Sequence, residues 1–169
     1  MNALSVLFIC VHNSCRSRMA EAIFNHLAPA GYVAESAGLE PRHAHPLTMT
    51  VMREIGINIF PTPGQNVFEL FRAGRLYDYV ITLCDATAAA RCPVFTGATR
   101  CFHWSLPDPG LHGGALDERL AFMRHVRDQI MDRVDVLIQE IAFPRQPMVL
   151  HPLISWTESS ECLASQNIL

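Results

Sequence analysis

Cys10 and Arg16 stand near the two ends of the run Cys10-Val11-His12-Asn13-Ser14-Cys15-Arg16-Ser17. A thiol and a guanidinium joined by so short a loop can meet one tetrahedral oxyanion, the sulfur as nucleophile and the arginine as a planar fork of donors. Two flanking elements must position them. Val6, Leu7, Phe8 and Ile9, within the apolar run from Leu4 to Ile9, read as a buried strand, and Met19, Ala20, Ile23, Phe24 and Leu27 recur at helical spacing in a helix opening near Ser17. The loop therefore joins a strand's C-terminal end to a helix N-terminus, where free backbone N–H groups converge on one concavity and favour negative charge. Val11, His12, Asn13, Ser14, Cys15, Arg16 and Ser17 are the expected oxyanion-binding residues. The same field favours a thiolate at Cys10, and the Ser17 hydroxyl is placed to donate a hydrogen bond to it. Asn13, a residue type that tolerates left-handed backbone, is expected to shape the turn.

The 169-residue chain is half apolar, enough for one domain with a full core. A net charge of -3 and the lack of a long basic run argue against nucleic acid and anionic membrane as partners. An anionic substrate must then be drawn by a local field. The opening apolar run is short, has no basic residue before it and leads straight into the loop, so it does not read as a signal peptide, and no stretch is long enough to span a bilayer. A cytoplasmic location is the expectation. In a reducing compartment, six cysteines point to catalytic, redox or metal chemistry rather than a disulfide framework. His43 and His45 are close in sequence, but no third ligand at sensible spacing accompanies them, so neither a metal site nor a bound cofactor is expected.

Beyond the first helix, Gly31 to Gly38 reads as a second strand, and Pro46 opens a helix with Leu47, Val51, Met52 and Ile55 on one face and Gly56 as its stop. Pro61, Pro63 and Gly64 mark a loop, a brief helix covers Val67 to Arg72, and Tyr79 to Leu83 is a third buried strand leading to Cys84. A fourth strand around Thr99 to Trp104 runs into Ser105-Leu106-Pro107-Asp108-Pro109-Gly110. A long amphipathic helix then carries Leu120, Phe122, Met123, Val126, Ile130, Val134, Leu137 and Ile141. Strands alternating with helices predict a parallel sheet covered on both faces, with the site at the strand C-terminal ends, where the reactive stretches fall. The proline-marked tail from Phe143 reads as an extended appendage, which gives a domain at 1–142 and a C-terminal extension at 143–169.

The Cys10 to Ser17 run, with the following Met19-Ala20-Glu21-Ala22, closely resembles the low-molecular-weight tyrosine phosphatase superfamily, and within it the thioredoxin-coupled arsenate reductases. The resemblance spans roughly residues 4 to 142. It implies a three-layer α/β sandwich with a four-stranded parallel sheet of flavodoxin-like type. In the reductases a first thiolate attacks arsenate, a second cysteine displaces arsenite by forming a disulfide with the first, and a third resolves it, leaving a disulfide for thioredoxin. The resemblance assigns these roles to Cys10, Cys84 and Cys92 in turn. Thr82-Leu83-Cys84-Asp85, Cys92-Pro93-Val94-Phe95 and His103-Trp104 also resemble the reductases. Cys84 to Cys92 runs through good helix formers, and eight residues along a regular helix separate two side chains by about 12 Å, beyond disulfide reach. A bond between them requires the helix to unwind. The chain departs from the usual pattern in one extra residue between these cysteines and in His12, where relatives often have glycine. Cys15 matches a superfamily position where a second thiol can trap an oxidised nucleophile, or can be an inert helix-start residue. Residues corresponding to Asn13, Glu21 and Ser36 join a network near a monovalent cation in some reductases; no matching acid lies around Gln65, so no ion is expected.

Asp108, in Pro107-Asp108-Pro109, matches the general acid of the phosphatases and could protonate a leaving oxygen. Phosphatases of this superfamily that act on phosphotyrosine usually place aromatic residues just beyond that acid and after the second strand. Here Gly110-Leu111-His112-Gly113 and Leu39-Glu40-Pro41-Arg42 offer no aromatic wall, which fits a small inorganic oxyanion: arsenate, with phosphate or sulfate as mimics. The expectation is a monomeric arsenate reductase using Cys10, Arg16, Cys84, Cys92 and Asp108, with thioredoxin or another external dithiol as reductant. Two alternatives stand beside it: a phosphatase working through a cysteinyl-phosphate with Cys84 and Cys92 passive, and a non-catalytic thiol module binding arsenite or zinc through Cys10, Cys15, Cys84 and Cys92.

Overall fold

Along β1 (Leu4–Cys10) successive side chains turn to opposite faces, so Val6, Phe8 and Cys10 join one apolar cluster while Leu7 and Ile9 join another. A strand buried on both faces belongs inside a parallel sheet. In the computed structural model, which describes residues 4–98 and 100–142 and the backbone of 157–158, β1 pairs in parallel with β2 (Tyr32–Gly38) on one side and β3 (Tyr79–Thr82) on the other. β4 (Arg100–His103) continues beyond β3, giving four parallel strands in the order β2-β1-β3-β4. This is the expected flavodoxin-like sheet. Thr157–Glu158, within the segment read as an extended appendage, add a short fifth strand, β5, antiparallel to β4. An edge strand exposes unpaired backbone groups that an extended segment can satisfy, and the side-chain pattern carries no signal of it. The remaining expectations on the tail, and that on Thr99, lie outside the described residues.

The helices are α1 (Arg16–Leu27), α2 (Pro46–Glu54), α3 (Val67–Arg72), α4 (Ala86–Ala89) and α5 (Leu116–Ala142). α1 and α5 cover the Val6 and Phe8 face, where Met19, Ile23 and Phe24 are buried with Met123, Val126, Ile130 and Leu137. Trp104 is fully buried in the same cluster, its ring 5.8 Å from that of Phe8. On the opposite face, Val67 of α3 joins Tyr77, Val80 and Phe95. Each large apolar side chain so buried contributes roughly 1.5–3 kcal/mol, and together the two layers fix the strand ends that carry the site.

The helix expected through Cys84 to Cys92 is corrected to a single turn. Asp85 caps α4 by accepting the Ala88 N–H (3.0 Å), and Cys92 already lies past its end in a bend. Alanine favours helix, but so short a run is far below the length at which helix propagates on its own, and Pro93 disfavours helical backbone at Cys92.

Candidate active site

The loop between β1 and α1 is held from several directions. Asn13 takes left-handed backbone (φ 47°) and its N–H donates to Cys10 Sγ (3.2 Å), while Ser17 Oγ lies 3.0 Å from the same sulfur. The Asn13 side chain donates to Ser17 Oγ (2.9 Å) and Ser36 Oγ (2.8 Å) and accepts the Gln65 N–H (2.9 Å). Ser36 in turn donates to Glu21, so the Asn13, Ser36 and Glu21 network is in place. Burial pushes the Glu21 carboxyl above its ordinary value, opposed by the Ser36 hydrogen bond and by Arg18. Amides of Leu39, Glu40, Arg42 and His45 donate to the carbonyls of Cys10 (3.2 Å), Val11 (2.8 Å), His12 (2.8 Å) and Ser14 (3.0 Å). Those four carbonyls are committed to the segment after β2.

Two supporting residues escaped the sequence reading. Arg18 donates through Nε to the Asn13 carbonyl (2.6 Å) and through its two Nη atoms to Thr62 Oγ1 (2.9 Å) and carbonyl (2.7 Å), strapping the turn to a distant loop. Burial pulls its pKa below the usual arginine value, opposed by Glu21. A charged residue at the start of an otherwise buried helix face was the available signal. The other is Gly38: a Cβ there would lie 2.8 Å from Asn13 N and 2.9 Å from the Val11 carbonyl, so the end of β2 reaches the loop only as glycine.

Arg16 is 3% exposed, and each nitrogen has a different fate. Nη1 donates to the carbonyls of Leu106 (2.9 Å) and Leu83 (3.4 Å), and Nη2 donates to Asp108 Oδ2 (2.6 Å). Nε is buried with no hydrogen-bond partner. A buried donor left unpaired costs about 1–3 kcal/mol, a penalty that an oxyanion seated against the loop amides would remove. Asp108 Oδ1 accepts the Gly110 N–H (3.0 Å) at the head of the 3-10 turn Pro109–Leu111, and His12 Nδ1 lies 3.5 Å from Oδ2. Beside them opens a cleft of about 400 Å³, lined by His12, Ser14, Arg42, His43, Ala44, His45, Pro46, Asp108, Gly110 and Leu111. Among the described residues, no phenylalanine, tyrosine or tryptophan lines it. His45 accepts the Leu47 N–H (3.1 Å) as the cap of α2. Among the described residues, no group of three or more His, Cys, Asp or Glu side chains is placed to hold a metal ion, and no helix is long and apolar enough to cross a membrane.

Cys10, Cys15, Cys84 and Cys92 are not in disulfides, whereas Cys101 is disulfide-bonded. Cys84 is fully buried just beyond β3, directly after Leu83, whose carbonyl accepts from Arg16 Nη1 (3.4 Å), so the chain passes the arginine as it enters Cys84. Burial pushes its thiol up to about 11, with Arg16 opposing. Cys92 is half-buried and packs against the apolar cluster that contains Cys84. Cys15 is buried, and that burial raises it to about 11 against hydrogen bonds from Thr48 and Ser14. The structure thus gathers Cys10, Arg16, Asp108 and the loop amides, sets Cys84 beside them, and leaves Cys92 beyond a one-turn helix.

The profile of the family described as low molecular weight phosphotyrosine protein phosphatase matches residues 5–146. An arsenate reductase of Shouchella clausii is 33% identical over 136 residues, covering 79% of this chain and 94% of that protein. A glutaredoxin arsenate reductase of Synechocystis is 35% identical over 138 residues, covering 81% and 98%. Among solved structures, an arsenate reductase in a phosphate-binding state superimposes with a TM-score of 0.69 at 32% identity, covering 82% of this chain and 98% of that one. The thioredoxin-dependent arsenate reductase of Corynebacterium glutamicum gives a TM-score of 0.63 at 29% identity, covering 84% of this chain and 63% of the other.

Proposed function

The chain belongs to the low molecular weight phosphotyrosine protein phosphatase family, and we propose that it uses that fold to reduce arsenate to arsenite through three of its cysteines. The observation that carries this reading is a second thiol, Cys84, buried one residue after Leu83, whose carbonyl accepts from Arg16. A phosphatase has no need of it there. The Cys10 thiolate attacks arsenic as an As–S bond forms, and an As–O bond breaks with its oxygen leaving as water, protonated by Asp108. Arg16 Nε and the loop amides hold the remaining oxygens.

Cys84 then attacks Cys10 Sγ. The S–S bond forms, the As–S electron pair stays on arsenic, and the metalloid leaves as arsenite, reduced by the two electrons that the thiols lose. Cys92 attacks Cys84 Sγ, freeing Cys10 as thiolate and carrying the disulfide outward, where an external dithiol reduces it. Because α4 is one turn, this transfer requires the loss of few hydrogen bonds. Thioredoxin is the proposed reductant, and a glutaredoxin is the competing candidate.

The test is arsenate-dependent NADPH consumption with thioredoxin and its reductase, run beside a glutaredoxin and glutathione system. Turnover with the thioredoxin system supports the reading in full. Turnover only with glutaredoxin replaces the reductant but keeps the reaction. Hydrolysis of p-nitrophenyl phosphate with no response to arsenate in either system would make the protein a phosphatase instead.

A further inference from the structure

Asp108, as the acid, must give up a proton to the leaving oxygen and regain one before the next turnover. Oδ2 sits 2.6 Å from Arg16 Nη2 and Oδ1 accepts the Gly110 N–H. Both oxygens are thus engaged by fixed partners, and recharging the acid calls for a proton-carrying side chain within reach of it. His12 is placed for this. Its Nδ1 lies 3.5 Å from Oδ2 and its side chain is only 14% exposed, while its ring also borders the 400 Å³ cleft. Its backbone is pinned by the Arg42 N–H on its carbonyl (2.8 Å), so the ring turns about a fixed origin.

We propose that His12 is a positioning residue that holds Asp108 in line with the leaving oxygen and relays to it a proton drawn from the cleft. The inference rests on the role of Asp108 as the acid. As the oxygen departs with the Asp108 proton, the carboxylate recovers a proton from the His12 imidazolium, and His12 is reprotonated by solvent in the cleft. No electron moves in this step. The groups facing His12 are Asp108 from the turn after β4, Arg16 behind it, Glu40 and Arg42 after β2, and His43 and His45 ahead of α2. Glu40 is held ionised chiefly by Arg91 (2.8 Å) and to a smaller degree by His12, and so is committed elsewhere. Of these groups, Arg16 and His12 alone lie within ion-pair distance of Asp108, at 2.6 and 3.5 Å.

A relay of this kind is visible in the dependence of rate on leaving group, which a structural defect would not alter. The measurement is kcat/KM for aryl phosphates, from dinitrophenyl phosphate to phenyl phosphate, in wild type and His12→Gly. The expected result is a loss of about 10- to 100-fold for phenyl phosphate, whose leaving oxygen needs the proton, and less than about twofold for dinitrophenyl phosphate, whose leaving oxygen does not. Added imidazole restores phenyl phosphate hydrolysis in His12→Gly but not in Asp108→Asn. Equal losses across the series, no loss, or no imidazole rescue would overturn the proposal. Single-turnover arsenite release should fall by a factor similar to that for phenyl phosphate. A wild type that hydrolyses the aryl series but releases no arsenite refutes the reductase reading and leaves the His12 result standing.

Discussion

The Cys10 loop and the Cys84 to Cys92 segment both carry thiols at strand ends, but they are held very differently. Asn13 alone makes four hydrogen bonds within or onto its loop, Arg18 straps the turn to Thr62, and four amides of the segment after β2 seize the loop carbonyls. The other segment is one helical turn, capped by an exposed Asp85, carrying backbone bonds from Ala89, Ala90, Arg91 and Cys92, and tied to the segment after β2 through the exposed Arg91–Glu40 pair (2.8 Å). A transition state is best met by donors that need no reorganisation, and a thiol that must travel is best placed on a segment that is cheap to unfold. On the proposed function, the contrast divides the labour between a rigid cradle and a relay that must move.

Removing the nucleophile should have the largest effect. Cys10→Ser is expected to lose four or more orders of magnitude in arsenate reduction, on the scale of nucleophile deletions generally, while calorimetry still detects phosphate binding by the intact loop. Next is Gly38→Ala. Its Cβ meets Asn13 N and the Val11 carbonyl, both backbone, so the cradle must shift. Overpacking of this kind costs about 1–3 kcal/mol in thermal or denaturant unfolding. Phosphate affinity should fall by more than the loss of stability alone would cause. If phosphate still binds normally, the rigidity attributed to the cradle is wrong.

The step that uses Cys84 sharpens the comparison through pH. Its thiol is raised to about 11, mainly by burial. Below that value the thiolate fraction grows about tenfold per pH unit, so arsenite release in a single turnover should accelerate with close to that slope between about pH 7 and 9. A flat profile would mean that arsenic binding itself ionises Cys84. The smallest effect is expected at Asp85→Ala, which removes the cap from α4. Amide exchange at Ala88 to Cys92 should quicken with little change in global unfolding, and the relay should not slow.

Much of the cradle was legible because its chemistry is local: strand, loop and helix start are contiguous, and Cys10, Arg16 and Ser17 lie within eight residues. Element order was also legible, with α3 falling on Val67 to Arg72 as read. What could not be read was anything depending on the third dimension. Asp108 was placed after β4 by pattern, but its contact with Arg16, 92 residues away, comes from the sheet order. The pairing of His12 with Asp108 has the same origin. The helix expected at Cys84 to Cys92 was overlong because alanine propensity was given more weight than the strand end that pins one side and the proline that closes the other. β5 left no trace because edge pairing uses backbone groups alone.

The division between fixed cradle and moving relay is tested most directly by trapping its intermediate. Reduced Cys92→Ser is mixed with one equivalent of arsenate, quenched in acid with alkylation of free thiols, and its disulfides are mapped by mass spectrometry. The account predicts one arsenite released per protein and a Cys10 to Cys84 disulfide in the variant, against a Cys84 to Cys92 disulfide in wild type. Arsenite released from the variant with Cys84 still alkylated would contradict it.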